Sequence, residues 1–240
     1  MELIKLAKQY LHQYKETPNV NGGLYLAYYF LDWCKAQTSS RNSLVDEWPW
    51  ITFKSKAYLT KLLNKRTNVF EFGSGGSSLF FVKYAGSVVT VEHDESWFEK
   101  VRSIMIQKKV ENWQGILAKP VLPTGDFKLN PSDPFQYASL DDGYINHSFK
   151  QYASSIDQFS DGFFDLVSVD GRARPSCILH SLPKIKIGGY FMLDNSERSY
   201  YMHYFLERDF GTNFKKVFEN YGPGPYNYLF WQTTIWQRIK

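Results

Sequence analysis

A glycine-rich turn in the segment VFEFGSGGSSLFF (residues 69–81) carries the clearest chemistry of this sequence. Gly73 and Gly75 can adopt backbone angles that are closed to other residues, and without Cβ atoms they let a ligand approach the main chain. Free backbone amides of the helix predicted after the turn face that ligand. The next apolar run ends at Glu92, roughly 20 residues after Gly73, where a carboxylate can accept both hydroxyls of an adenosine ribose.

Two residues of this segment distinguish a dinucleotide from another adenosine-containing cofactor. Glu71 lies two residues before Gly73, where its charge repels a pyrophosphate but can hold an ammonium group or a bound water. Ser78 stands where the dinucleotide fingerprint G-x-G-x-x-G has its third glycine, which weakens close packing around a diphosphate. The turn therefore favours a nucleoside with a cationic amino-acid arm, such as S-adenosylmethionine, over NAD.

Carboxylates also end two later apolar runs. Asp170 closes VSVD and Asp194 closes FMLD, with Asn195 directly after it. Because ligands of open α/β sheets bind outside the carboxyl ends of the strands, we expect these side chains to converge with the glycine turn. Two carboxylates and an amide oxygen suit Mg²⁺, which would be a second cofactor. The alternative is that both aspartates are N-caps of following helices, which needs no chemistry.

The elements that position these residues follow from the alternation of apolar runs and helical stretches after residue 65. Strands joined by helices form right-handed βαβ units and a parallel sheet covered on both faces. The last two strands are joined only by a turn-rich connection, so they form an antiparallel hairpin. The fold class is α/β: a three-layer, doubly wound, mostly parallel seven-stranded sheet with a C-terminal hairpin. The predicted strands lie at 68–73, 87–92, 115–120, 163–170, 188–194, 214–220 and 228–239.

Helices are predicted before this region, near residues 3–14, from Gly23 to Ala36, and in a third segment that ends near Leu63. A loop at 37–43 separates the second helix from the third. We therefore expect an N-terminal helical extension at 1–64 and a Rossmann-like catalytic domain at 65–240. The long segment 121–148 is either a lid or binding element, or structure that periodicity does not reveal.

The motif ExGxG after the first strand, the sequence VEHD at 91–94 and the final hairpin together resemble class I S-adenosylmethionine-dependent methyltransferases. The resemblance covers residues 65–240. It implies that Glu71, Gly73 and Gly75 line the methionine arm of the cofactor and that Glu92 holds the ribose. The further cofactor-binding residues it implies are Ser74, His93 and Asp170.

The acids at 170 and 194 resemble the metal site of catechol-type and caffeoyl-coenzyme-A-type O-methyltransferases, which implies Mg²⁺ held by Asp170, Asp194 and Asn195. Those enzymes have a catalytic lysine three residues after the first aspartate, where this chain has Ala173. Its arginine neighbours are poor bases but bind acceptor oxygens well. The predicted catalytic residues are therefore Arg172, which holds the acceptor, and Asp170 or His180, which takes the proton.

The resemblance implies O-methylation of a small molecule. An NAD-dependent oxidoreductase and a non-catalytic S-adenosylmethionine-binding protein are the alternatives, the second because the lysine is missing. The chain lacks G-x-S-x-G, H-E-x-x-H and Walker A patterns, which argues against hydrolase, zincin and nucleotidase functions.

Composition limits the partners of this chain. Its 28 basic and 24 acidic residues are scattered, so no nucleic-acid partner is expected. The longest apolar stretch, at 24–33, is about half of what a membrane span needs, so no membrane partner is expected. The first residues lack the apolar core of a secretory signal, which predicts a cytoplasmic protein. Both a monomer and a homo-oligomer remain open.

Overall fold

The computed structural model describes residues 2–16, 23–38, 40–124, 128–140 and 142–240. The chain begins with four helices, of which the first, second and fourth match the predicted ones. The short third helix follows a loop and is fixed by Asn42, whose side-chain oxygen accepts hydrogen bonds from the amides of Leu44 and Val45 at 3.1 and 3.0 Å. The four helices are α1 Glu2–Lys15, α2 Gly23–Ala36, α3 Ser43–Asp46 and α4 Phe53–Leu62.

A seven-stranded sheet follows these helices, in the spatial order β3-β2-β1-β4-β5-β7-β6. Neighbouring strands from β3 to β5 are parallel, whereas β7 is antiparallel to both β5 and β6. The predicted fold class and hairpin are therefore confirmed. The elements are β1 Asn68–Phe72, α5 Gly76–Tyr84, β2 Ser87–Glu92, α6 Glu95–Gln107, β3 Trp113–Leu117, α7 Lys150–Ala153, β4 Phe164–Val169, α8 Arg174–Ser181, β5 Ile185–Asp194, β6 Phe214–Gly222 and β7 Trp231–Arg238.

Three predicted elements differ from the observed ones. Strand β3 begins at Trp113, two residues before the predicted start, and pairs with β2 through Leu117. Strand β5 begins at Ile185, three residues before the predicted start. The prediction missed these residues because Lys186 and the nearby glycines interrupt the apolar pattern. The helical segment expected after β5 is replaced by a 3₁₀ turn at Ser199–Tyr201 and further turns. In these turns the amide of Phe205 donates to the carbonyl of Met202, only three residues earlier.

The sheet is buried on both faces. In β1, Phe70 and Phe72 point to the side covered by α7 and α8, whereas Val69 points to the side covered by α4, α5 and α6. Glu71 shares the face of Val69, so its carboxyl group lies under α5. Hydroxyl groups of Ser78 and Thr90 on this face donate to the carboxyl group, so a carboxylate is tolerated in an otherwise apolar buried strand.

The N-terminal helices pack against the connection between β6 and β7. The indole of Trp33 donates to the carbonyl of Asn227 at 3.1 Å, and the amide of Phe53 donates to the carbonyl of Pro223 at 3.0 Å. Their own apolar cluster, which includes Trp33 and Phe53, also takes in Phe230. The domain boundary between residues 64 and 65 stays a prediction. None of the described helices is long and apolar enough to cross a membrane.

A candidate cofactor cleft at the carboxyl edge of the sheet

A cleft of 590 Å³ lies at the carboxyl ends of β1, β2, β4 and β5. It is where a ligand of an open α/β sheet is expected, and its volume is within the roughly 300–1,000 Å³ typical of ligand pockets. The lining combines the glycine turn, the ends of the strands and aromatic side chains. It consists of Ser43, Trp50, Gly73, Ser74, Gly75, Gly76, Ser77, Glu92, His93, Asp94, Trp97, Tyr144, Asp170, Gly171, Arg172, Arg174, Asp194, Asn195, Arg198, Asn227 and Trp231.

The turn after β1 requires glycine at position 73. Gly73 has a φ of +95°, which L side chains rarely adopt, and its amide donates to the carbonyl of Val91 at 2.9 Å. A Cβ atom at this position would lie 3.0 Å from the Cα of Gly171, in the turn after β4. The two turns therefore approach each other backbone to backbone, and they form the floor of the cleft.

Glu71 does not line the cleft, contrary to the role implied by the resemblance. It is fully buried beneath the turn, where its Oε2 accepts from Ser78 Oγ at 2.5 Å and from Thr90 Oγ1 at 2.9 Å. Ser78 Oγ in turn accepts from the amide of Gly75 at 3.1 Å. Ser78, which replaces the third glycine of a dinucleotide fingerprint, thus links the buried acid to the turn.

The carboxyl group of Glu71 is also incompletely bonded. Its second oxygen, Oε1, is buried without a hydrogen-bond partner among the described residues. Burial raises the pKa of Glu71 to about 7, although hydrogen bonds from serine and threonine hydroxyls act in the opposite direction. A buried acceptor of this kind behind a glycine turn is a feature that a bound cation or water could satisfy.

Glu92 is the last residue of β2, and its ionised side chain fixes the backbone on the β2 side of the cleft. Its Oε2 accepts from both the amide and the hydroxyl of Ser74 at 2.9 Å, and its Oε1 accepts from the amides of His93 and Asp94. Burial raises the pKa of Glu92, but the hydrogen bonds from His93, Asp94 and Ser74 outweigh it and leave the pKa below the usual value. The Ser74 hydroxyl occupies a bonding position that a ribose hydroxyl would need.

Aromatic side chains that the sequence analysis did not single out complete this half of the cleft. The indole of Trp97 donates to the carbonyl of Ser74 at 2.8 Å, which fixes the ring beside the glycine turn. His93 lies between Glu92 and the ring of Tyr144, with 5.0 Å between the two ring centroids. Trp97 was hidden in a regular amphipathic helix, and Tyr144 in a segment without periodicity.

An arginine joins the ends of β4 and β5. Arg174 is 8% exposed, and its Nη2 donates to Asp170 Oδ1 at 3.1 Å and to the main-chain carbonyl of Asp170 at 3.0 Å. Its Nη1 donates to the main-chain carbonyl of Asp194, and its Nε donates to the carbonyl of Gly171. One guanidinium group thereby satisfies four oxygen acceptors at the strand ends.

The carboxyl groups of Asp170 and Asp194 form a coupled pair in this region. Asp194 is 2% exposed, and its Oδ1 accepts from Trp231 Nε1 at 3.0 Å and from Thr233 Oγ1 at 2.5 Å. Burial raises the pKa of Asp170 to about 6 despite the charge of Arg174. Burial and the charge of Asp170 raise the pKa of Asp194 well above its usual value. Asp170 is therefore the member of the pair that ionises first.

The donor set at 170, 194 and 195 does not fit Mg²⁺. The guanidinium of Arg174 already supplies a positive charge between the two strand ends, and one oxygen of Asp194 is bonded to β7. A divalent cation placed there would face the arginine at close range.

The alternative role of the two aspartates as N-caps is also not observed. The N-cap of α8 is Ala173, which has a φ of +46° and makes no side-chain capping bond, and no α-helix begins after Asp194 in the described chain. Backbone strain at a non-glycine residue such as Ala173 is found at functional sites more than elsewhere. Both aspartates line the cleft, and neither caps a described α-helix.

Of the predicted catalytic residues, Asp170 and Arg172 line the cleft, whereas His180 does not. His180 lies near the end of α8, with its Nδ1 2.7 Å from Asp157 Oδ2 and its Nε2 3.3 Å from the hydroxyl of Tyr137. His180 therefore lies outside the cleft, because the helix carries it away from the strand ends. The predicted cofactor-binding residues other than Glu71 all line the cleft.

Comparisons with known proteins agree with this architecture. No protein-family model matches the sequence, and no curated protein matches it. An rRNA methylase from Streptococcus thermophilus is 13% identical, with a TM-score of 0.52 over 78% of this chain and 95% of the methylase. A Streptococcus mutans protein solved in complex with SAH is 14% identical, with a TM-score of 0.51 over 77% of this chain and 96% of that one.

The cofactor-bound protein Rv0187 from MTB aligns over 96% of both chains, with 14% identity and a TM-score of 0.53. These structures have the Rossmann-like fold of class I methyltransferases, and the present chain has the same fold. At such low identity the likeness establishes the fold, and the chemistry has to be argued from the cleft itself.

Proposed function

We propose that the protein is an S-adenosylmethionine-dependent methyltransferase that acts on a small-molecule acceptor. The observation that carries the proposal is the pairing of two features of one cleft. The glycine turn at Gly73 lets a ligand reach the backbone, and the ionised carboxylate of Glu92 stands on the neighbouring strand. That pair suits an adenosine ligand with hydroxyls directed at Glu92.

The residues present fit the methionine arm of the same cofactor. The buried carboxyl group of Glu71, with its unpartnered Oε1, lies behind the turn, where a cationic ligand favours its ionised form and a pyrophosphate opposes it. In this proposal Gly73, Ser74 and Gly75 contact the arm directly and Glu71 acts from beneath. An NAD cofactor would instead bring two phosphates against this acid.

When bound, S-adenosylmethionine supplies a methyl group on an already activated sulfonium, so the protein has to align the acceptor and exclude water. Trp50, Trp97 and Tyr144 line the cleft and supply aromatic surface for this purpose. Asp170 is the group that can take the proton of the acceptor, because its raised pKa of about 6 still leaves it mostly ionised at neutral pH. Arg172 lines the same stretch of the cleft and can bind acceptor oxygens.

We further propose that the reaction needs no Mg²⁺. Arg174 performs the electrostatic task of a cation at the strand ends, since it neutralises Asp170 and holds the carbonyls of Asp170 and Asp194. The predicted metal set of Asp170, Asp194 and Asn195 is thus reassigned to acceptor binding and proton transfer.

A small acceptor is favoured by the cap over the cleft. Ser43 and Trp50 of the N-terminal region and Asn227 of the β6–β7 connection line the cleft from above. Tyr226 ties the two sides together, since its hydroxyl donates to Asp46 Oδ2 at 2.7 Å. The cleft is therefore bordered by two parts of the chain that are held together, which suits a small acceptor.

Calorimetric titration with S-adenosylhomocysteine tests the cofactor assignment. We expect saturable one-to-one binding that falls about tenfold or more in Glu92→Ala, since hydrogen bonds to charged groups contribute about 1.5–3 kcal/mol. Glu95→Gln is the matched control, because Glu95 is exposed on α6 and pairs with Lys119 outside the cleft. Binding of NAD in place of S-adenosylhomocysteine would overturn the proposal.

Methyl transfer itself is tested with radiolabelled cofactor, a panel of small hydroxylated and aminated acceptors, and total RNA as a separate arm. Label on a small molecule supports the acceptor class, whereas label on RNA alone contradicts it. Tight cofactor binding without transfer to any acceptor would favour a binding protein.

A further inference from the structure

A second cavity of 170 Å³ lies beside the cofactor cleft. One wall comes from the segment 131–140, and another from the 3₁₀ turn after β5, with Tyr200 and Tyr201. The two cavities share four lining residues, which form their common boundary. These are Gly171, Arg172, Arg174 and Arg198.

The position of this cavity separates it from the adenosine half of the cleft. Glu92 ends β2, and Asp194 ends β5, three strands away in the sheet order. With strands about 4.8 Å apart, the two strand ends are roughly 14 Å apart. A ligand group in the second cavity is therefore next to Asp170 and the β5 end, and far from the ribose position.

Positive charge dominates the shared boundary. Three guanidinium groups line it, and Arg174 is compensated by Asp170 at 3.1 Å. Arg198 is exposed, and its Nη1 donates to the neutral hydroxyl of Tyr201 at 3.1 Å. Arg198 also forms a long ion pair with Glu197, with 4.0 Å between Arg198 Nε and Glu197 Oε1. Asp194 is directed towards Trp231 and Thr233 and is the more weakly acidic carboxyl of its pair.

Apolar and aromatic surface completes the cavity. Tyr201 stacks between two of the arginines, with 5.1 Å from its ring centroid to the guanidinium carbon of Arg174 and 6.0 Å to that of Arg198. Leu140 and Pro131 face it from the other wall. A site with arginines at one side and rings at the other suits a ligand with an anionic group on a compact apolar body.

We propose that the second cavity is the acceptor subsite and that Arg172 and Arg198 bind a carboxylate or phosphate group of the acceptor. This inference rests on the proposed methyltransferase function. It adds that the acceptor is an anion and that its charged group lies on the β5 side of Asp170, which leaves its nucleophilic atom directed at the cleft.

Probe binding to the protein saturated with S-adenosylhomocysteine tests the subsite. The probes are benzoate, phenyl phosphate and the neutral benzyl alcohol, each followed by calorimetry or ligand-observed NMR. We expect one of the two anions to bind and benzyl alcohol to bind at least about tenfold more weakly, because a charge-assisted hydrogen bond is lost. The comparison of benzoate with phenyl phosphate identifies the anionic group.

Arg198→Met is expected to weaken the anionic probe about tenfold or more and to leave S-adenosylhomocysteine binding within about twofold. Arg198→Lys restores part of the affinity, since a positive charge remains. Arg208→Met is the matched control, because Arg208 lies in the same connecting segment and bonds to Tyr204 outside both cavities.

Three results would overturn the inference. The first is that benzyl alcohol binds as tightly as the anions. The second is that neither anion binds to the cofactor-loaded protein. The third is that Arg198→Met weakens binding of S-adenosylhomocysteine as much as binding of the probe. The last result would assign Arg198 to the carboxylate of the cofactor. Absence of S-adenosylhomocysteine binding by the unmodified protein is a different failure, that of the proposed function.

Discussion

Arg174 Nη2 lies 3.1 Å from Asp170 Oδ1, and the two side chains leave the same turn after β4. The arginine also bonds to the main chain of Asp194, so it connects the two strand ends that the sequence predicted to be joined by a metal. A positively charged side chain thus replaces a cation that would have to be acquired from solution. Ala173, which lies beside Arg174, has no side chain that could compete for the acid.

Replacement of Arg174 should destabilise the protein strongly. Arg174→Met leaves the carboxylate of Asp170 and three main-chain carbonyls without their donor, and removal of one member of a buried ion pair costs about 3–5 kcal/mol. Urea unfolding monitored by circular dichroism measures the loss. The control Arg208→Met should change the free energy of unfolding by less than about 0.5 kcal/mol. Equal stability of Arg174→Met and the unmodified protein would contradict the bridging role.

Added Mg²⁺ should leave the protein unchanged. Neither millimolar MgCl₂ nor EDTA is expected to shift the melting temperature, and neither should alter methyl transfer, because Arg174 already occupies the region between the two aspartates. Differential scanning fluorimetry across a MgCl₂ titration provides the measurement. A saturable rise in melting temperature that disappears in Asp194→Asn would restore the metal site predicted from the sequence.

The parallel core of the fold could be predicted from the sequence because buried strands leave continuous apolar runs, as in residues 68–72 and 164–169. The prediction was less accurate at the edge of the sheet, because β3 is half-buried and its start at Trp113 does not lie in a continuous apolar run. The turns after Asp194 contain Tyr201 and Phe205 at helical spacing. Burial of those rings and not a helix accounts for the pattern.

The ligand-facing acids could be predicted because they directly follow strands, but their bonding partners could not. Side-chain direction decides that Glu71 lies under the turn and Glu92 beside it, although each acid belongs to a motif of the same resemblance. The contributions of Trp50 and Asn227 depend on how the N-terminal helices pack on the β6–β7 connection. Such contacts, distant in sequence, leave no periodic signal.

Substitution of Gly73 should remove cofactor binding, and Gly188 offers a control with the same backbone conformation. Both glycines have positive φ, +95° and +84°, but a Cβ at 73 would lie 3.0 Å from Gly171 Cα, whereas one at 188 would meet nothing within 4 Å. Gly188→Ala should therefore cost only about 1–2 kcal/mol of backbone strain. Gly73→Ala should cost more and abolish S-adenosylhomocysteine binding in calorimetry. Unchanged cofactor affinity in Gly73→Ala would show that the ligand does not approach this turn.

Glu71 should make the protein less stable as pH rises. Its folded pKa of about 7 exceeds the ordinary value of 4.5, so the folded state binds the proton more tightly and stability falls between about pH 4.5 and 7. The loss amounts to roughly 3 kcal/mol at 1.36 kcal/mol per pKa unit. Glu71→Gln keeps the shape of the side chain and removes its titration. The free energy of unfolding of the variant, relative to that of the unmodified protein, should therefore increase from pH 5 to pH 8. Parallel stability curves for the two proteins would show that Glu71 does not titrate in this range.

Methyl transfer should rise with pH as Asp170 loses its proton. A folded pKa of about 6 means that the carboxyl group is mostly protonated at pH 5 and mostly ionised at pH 7, and only the ionised form can accept the proton of a hydroxyl acceptor. The profile of kcat/KM for an identified acceptor should therefore show an ascending limb centred near pH 6. Asp170→Asn should lower kcat by about 100-fold or more, the usual contribution of a general base, and should abolish that limb in whatever activity remains. Binding of S-adenosylhomocysteine to Asp170→Asn serves as the control for correct folding, and retention of the ascending limb in this variant would assign the proton transfer to another group.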